Sequence, residues 1–196
     1  MSPQTRKERE RAERHQRIID TARELAESDG WEAVTVRKLA ERIEYSQPVL
    51  YSHFAGKSAI VSAVALEGII DLTKAMRAAR ESAGSPEDAL GKVARAYLAF
   101  AADNAARYDA MFVQQTDLAF GPEAPQPLRD AFGEIMALFV PFTDEADLAA
   151  RTEVAWSSMH GIATLDRSGR LVDDLREQRL TILVDEWLAA VKARKS

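Results

Sequence analysis

Gln47, Pro48, Tyr51 and Ser52 fall on one side of a short helical pattern inside Val34–Lys57, which reads VTVRKLAERIEYSQPVLYSHFAGK. A face that only meets water is ordinarily filled with Lys and Glu, so this mix asks for another reason. A Gln side chain can pair with adenine N6 and N7 together, and Pro48 and Val49 offer apolar contact to a thymine methyl. Arg37, Tyr51, His53 and Lys57 are of types that reach phosphates, contacts that fix register without reading sequence. Lys57 also stands at the start of the next helical run, whose first amides favour an anion.

The surrounding residues supply the elements that must hold these side chains. Thr35 precedes an apolar-periodic run and reads as its N-cap. Val36, Leu39, Ala40 and Ile43 then recur at helical spacing, which leaves Arg37, Lys38, Glu41 and Arg42 outside. After the break Glu44-Tyr45-Ser46, Ser46 is placed to cap a second helix. Pro48 lies in that helix's first turn, where a missing N–H costs nothing. Leu50 and Phe54, four apart, pack back on the first helix. Two short helices across a three-residue break make a helix-turn-helix over about 35–54, a device for setting one helix in a DNA major groove.

The segment resembles the DNA-binding domain of the TetR (tetracycline repressor) family. The residues carrying the likeness are Thr35, Arg37, Leu39, Ala40, Ser46, Leu50, Tyr51, His53, Phe54 and Lys57, with a Gln-Pro pair at 47–48. The chain departs from the family pattern at Glu44, where a Gly is usual. A positive φ at that site costs a non-Gly residue about 1 kcal/mol. Further on, Trp156-Ser-Ser-Met-His160-Gly161 resembles the W…HG signature of one C-terminal subgroup. The resemblance implies an all-α fold of about nine helices. A three-helix DNA-binding domain (12–60) would be joined by a long helix to a ligand-binding and dimerisation domain (61–196).

Composition bounds the alternatives. With 196 residues, 46% hydrophobic and 29% charged, the chain can bury a sizeable core in one or two domains. It has no Cys, which removes thiol chemistry and suits a reducing, cytoplasmic setting. The charged N-terminus carries no signal-peptide pattern, and no apolar run approaches the ~20 residues that span a bilayer. The net charge of −5 is unevenly placed. Through residue 57 there are 11 Lys and Arg against 10 Asp and Glu, and beyond it 15 against 21. A nucleic acid would meet the near-neutral end. There is no G-x-S-x-G, phosphate loop or H-E-x-x-H, so the sequence offers no catalytic residue, metal site or cofactor site, and the expectation is not an enzyme.

Residues 1–17 alternate charges at i, i+4 (Arg6/Glu10, Arg9/Glu13, Glu10/Arg14, Glu13/Arg17), fitting either a basic arm beside phosphates or a solvated helix extension. The helix continues through Ile18, Ile19, Ala22, Leu25 and Ala26 until Gly30 stops it, with Trp31 packing back on the last turn. Further helices are predicted at 57–81, 86–103, 105–114, about 128–142, 144–166 and 171–193, with a Pro-rich loop at 115–127. Ala155, Ser158, Ile162, Leu180, Val184, Trp187 and Val191 form the apolar stripes of the last two, which suit either intrachain core or a four-helix homodimer interface. A dimer would read an inverted-repeat operator. Tyr97, Phe100, Tyr108, Phe112, Met136, Trp156, Met159 and His160 suit core packing or, as a set, a pocket for a small apolar or amphipathic effector. His160 has no second His at i+3 or i+4 to make a metal pair. Such an effector can release DNA or act as co-repressor. The rival reading is a helical ligand-binding protein of the same fold without DNA recognition.

Overall fold

A computed structural model describes residues 3–192, the side chain of Val191 lying outside the described residues. Among these residues the chain forms nine α-helices and no strand. They are α1 (Pro3–Asp29), α2 (Val36–Arg42), α3 (Gln47–Tyr51), α4 (Lys57–Glu81), α5 (Pro86–Asp103), α6 (Ala105–Phe112), α7 (Gln126–Phe139), α8 (Glu145–Arg167) and α9 (Arg176–Lys192). The all-α expectation and its helix count hold. Several boundaries moved, α7 ending at Phe139 among them. α6 stops at Phe112, and α7 starts at Gln126 because Pro127 is accommodated in its first turn. α9 starts at Arg176, since 173–175 form a separate 3₁₀ turn.

The chain divides into two compact units, with one boundary at Gly68 within α4. The first holds the described residues through Gly68 together with Ala105–Glu123; the second holds Ile69–Asn104 and the chain from Ala124 onward. α4 therefore contributes its first half to one unit and its second half to the other.

In the first unit, α1 begins as a surface helix carrying the ion pairs Arg6–Glu10 (2.9 Å) and Arg9–Glu13 (3.3 Å). It then turns apolar, burying Ile18, Ile19, Ala22, Leu25 and Ala26. Gly30 ends it at φ +80°, its N–H donating to the Ala26 carbonyl. Trp31 enters a 3₁₀ turn and is 5% exposed. Its indole N–H needs a partner when buried and finds the Ala106 carbonyl at 2.9 Å, at the start of α6. α6 also lies close on α4: a Cβ at Gly68 would stand 2.8 Å from Met111 Sδ and 3.2 Å from Arg107 Cβ. The loop after α6 returns to α4 through Asp117, whose N–H donates to Ser62 Oγ and whose carboxylate accepts from Ser58 Oγ.

In the second unit α5 is the helix against which α7, α8 and α9 pack. Its start is set by Ser85, whose hydroxyl accepts from the Asp88 N–H, while the Asp88 carboxylate accepts from the Gly84 N–H. This reciprocal arrangement satisfies two otherwise open donors. The core is built from Leu90, Val93, Tyr97, Leu138, Phe139, Met159 and Leu183, with Phe139 meeting Trp187 edge to face at 5.6 Å. Glu134 of α7 is buried between Arg77 (2.6 Å) and Arg80 (3.0 Å) of α4. That clamp fixes the distal half of α4 to the second unit.

Candidate nucleic-acid interface

Thr35 caps α2 as expected, its Oγ1 accepting from the Lys38 N–H at 3.1 Å. The other end of α2 explains the unusual residue in the turn. Tyr45 N–H donates to the Ala40 carbonyl at 2.9 Å and Glu44 N–H to the Glu41 carbonyl at 3.4 Å. These two bonds are a Schellman motif, which closes open helix carbonyls by placing the residue between them in the left-handed region. That residue is Glu44, at φ +58°, the single non-Gly positive φ among the described residues. The turn therefore keeps its geometry without the glycine.

α3 is only five residues long and presents Gln47, Pro48 and Tyr51 to solvent, while Leu50 and Phe54 are buried. Tyr51 is 55% exposed, a large aromatic left open to solvent. Val49 is half-buried. Ser46 occupies the N-cap position, but its hydroxyl makes no capping bond. The reason is local. Pro48 has no N–H to offer, and the Val49 N–H already donates to the Ser46 carbonyl at 3.0 Å. The exposed Ser46 hydroxyl is thus left pointing away from backbone duty.

Arg37 is exposed on α2 and pairs with Glu41 one turn on at 2.9 Å; that carboxylate raises its guanidinium above the usual arginine range. Lys38 ties α2 to the end of α1 through Asp29 at 3.0 Å. Two residues expected at phosphates are engaged inside the unit. The Lys57 ammonium donates to the Trp31 carbonyl at 2.6 Å, joining the start of α4 to the 3₁₀ turn. His53 is half-buried beside His15 of α1, ring centroids 6.0 Å apart, while His15 stacks on Phe54 at 4.3 Å. Burial first, then the neighbouring His15, Arg11 and Arg14, hold His53 below the ordinary histidine range. The sequence reading missed His15; its only signal is its place three residues before Ile18 on the buried side of α1. Thr35, Arg37, Ser46, Gln47, Pro48 and Tyr51 remain on the outer side of the motif, and His53 and Lys57 fasten it.

The residues expected to line an effector pocket fall in both units. Tyr108 and Phe112 belong to the first, where their rings meet at 4.8 Å. Tyr97, Phe100, Met136, Trp156, Met159 and His160 belong to the second. There the Trp156 indole N–H donates to the Tyr97 hydroxyl at 3.3 Å, and Tyr97, Phe100 and Met159 are buried. Burial lowers the pKa of His160. Of the proposed dimer residues, Ala155, Leu180 and Trp187 are buried in their own chain, and Ser158, Ile162 and Val184 are half-buried. The apolar side chains open to solvent on α8 and α9 are instead Val154, Leu165 and Ile182. Among the described residues no group of His, Cys, Asp or Glu is placed to hold a metal ion, and no helix is long and apolar enough to cross a membrane.

Known proteins share this arrangement. Residues 18–64 match the family model described as bacterial regulatory proteins, tetR family. Residues 90–187, half of the chain, match the tetracyclin repressor-like C-terminal domain. The chain belongs to the TetR family. A TetR-family protein is a transcriptional regulator, and the helix-turn-helix built here is its DNA-binding element. A helix-turn-helix transcriptional regulator of Mycobacterium tuberculosis is 26% identical over 160 residues, covering 81% of this chain and 72% of that protein. The class C tetracycline repressor of Escherichia coli is 48% identical over 48 residues, 24% of this chain and 22% of the repressor. The transcriptional regulator FadR of Bacillus subtilis, solved with stearoyl-CoA, shares the fold at a TM-score of 0.68 and 15% identity, over 87% of this chain and 97% of that one.

Proposed function

We propose that the protein is a ligand-responsive repressor that binds an inverted-repeat operator as a homodimer. The observation that carries the reading is the outer side of α3. Gln47, Pro48 and Tyr51 stand exposed on a helix whose angle is fixed by the Glu44 turn and whose underside is locked by Leu50 and Phe54. In this reading Gln47 contacts adenine, Pro48 and Val49 a thymine methyl, and Thr35, Arg37, Ser46 and Tyr51 the phosphates. Lys57 and His53 hold the motif at its base.

One five-residue helix meets too few base pairs for useful specificity, whereas two copies read a palindrome. The faces of α8 and α9 bearing Val154, Leu165 and Ile182 support the pairing. An effector in the second unit shifts DNA affinity by its differential affinity for two states of the dimer. That FadR, of the same fold, was solved with stearoyl-CoA supports an effector with a long apolar part.

The test is a gel shift on DNA flanking the protein's own coding region, across a salt series. The expected result is a discrete complex on a short inverted repeat that weakens as salt rises. Gln47→Ala with Tyr51→Ala should abolish it while the circular dichroism and the mass in solution stay unchanged. A double variant that binds the same site as tightly would overturn the assignment of α3. A complex that forms only with an added small molecule would instead identify a co-repressor.

A further inference from the structure

We propose that a cleft between α8 and α9 binds a small amphipathic carboxylate. The cleft is open to solvent and about 170 Å³ in volume, with the C-terminal half of α5 as its floor. That is below the ~300–1,000 Å³ of a pocket for a drug-sized ligand, so it holds a headgroup and the first few carbons behind it. The cleft shares no residue with the aromatic set centred on Tyr97 and Trp156. The assignment rests on reading the second unit as an effector domain, and it names the chemical class and the place.

The chemistry of the lining is divided. Leu98, Ala99, Ala102 and Ile162 make an apolar floor, while Arg95, Arg167, Arg176 and Arg179 stand around it with two acids, Asp166 and Glu177. The cleft is therefore cationic within a portion of chain whose net charge is negative. Its cations are oriented in advance. The mostly buried Asp166 carboxylate accepts from both Arg176 (3.0 Å) and Arg179 (3.1 Å). Arg179 Nη1 donates to the Val172 carbonyl at 2.7 Å, and Arg167 Nη1 to the Ala101 carbonyl at 2.8 Å. Guanidinium groups fixed in this way match the flat fork of a carboxylate.

One ion pair at the rim marks where a ligand carboxylate can sit. Arg95 pairs with Glu177 at 2.6 Å, but both side chains are largely exposed. An exposed pair contributes little, so a ligand carboxylate can take the place of Glu177 while its chain covers Leu98 and Ile162.

The 196-residue protein, without DNA, is titrated in a calorimeter with octanoate, with 1-octanol (the same chain without the charge) and with inorganic phosphate (a charge without the chain). Octanoate is expected to bind saturably, at least about tenfold tighter than either control. Arg95→Gln and Arg176→Gln should each weaken it by about tenfold, and Lys74→Gln, a matched charge loss on α4, should not. Glu177→Gln should tighten it, a change of sign that general loss of folding cannot imitate. Octanol or phosphate binding as well as octanoate would overturn the assignment, as would unchanged affinity in the arginine variants. Loss of dimer mass in those variants, with no octanoate bound by the parent protein, would also overturn it and give the cleft to a second copy of the chain. Failure of the cleft leaves DNA recognition untouched, because the gel shift is read separately.

Discussion

Glu44 shows how much a single backbone angle can demand. The Schellman motif at the end of α2 places this residue at φ +58°, where Cβ crowds the following carbonyl. Glu44→Gly should therefore stabilise the first unit by about 0.5–1 kcal/mol, part of the relief being offset by the greater freedom of glycine in the unfolded chain. Glu44→Val should destabilise it, since β-branching is least tolerated there. Thermal melts of the two variants check the sign. The histidines act in one direction as well. His53 and His160 are held below the ordinary value of 6.5, so each protonates more readily in the unfolded chain than in the fold. Their contribution to stability is complete above about 6.5 and is lost as pH falls through that value and below it. The melting temperature should drop between about pH 7 and about pH 5, and the drop should be shallower in His53→Gln and in His160→Gln.

At the scale of elements, the helix-turn-helix was legible because each part has a local cause: a Thr cap, a helical stripe and a Pro in the first turn. The sequence also placed a possible positive φ at Glu44, and the structure has it. What could not be read were bonds between residues far apart in the chain. The indole of Trp31 also reaches Ala106, and Lys57, a residue of phosphate-reaching type, also donates to the Trp31 carbonyl. The assignment of α6 to the first unit was equally hidden, because a Gly at 68 says only that something small is wanted there. Glu134 is the clearest such case. On a helical wheel it is one more acid, but it is buried between Arg77 and Arg80. Glu134→Ala should lower the urea midpoint more than Arg77→Ala or Arg80→Ala does, because removing the shared carboxylate leaves two guanidiniums without it while either arginine can serve alone. The double variant Arg77→Ala/Arg80→Ala should show the coupling as non-additivity.

At the scale of the whole molecule, charge and copy number combine in one measurement. Each phosphate neutralised contributes about 0.9 to the slope of log affinity against log salt. If Arg37 touches one phosphate in each half of a dimer on its operator, Arg37→Ala should reduce the slope by about 1.8; half that change would mean one copy on the DNA, and no change would remove Arg37 from the interface. The same chain also carries the means to watch its two units separately. Of its three tryptophans, Trp31 is sealed in the first unit with its N–H on Ala106, while Trp156 and Trp187 lie in the second. Excited indoles emit at wavelengths set by their hydrogen bonds and surroundings, so a variant keeping only Trp31 makes the DNA-reading unit luminous on its own. Its colour change on heating would report when that unit opens, and a variant keeping only Trp156 would time the other, with no dye attached.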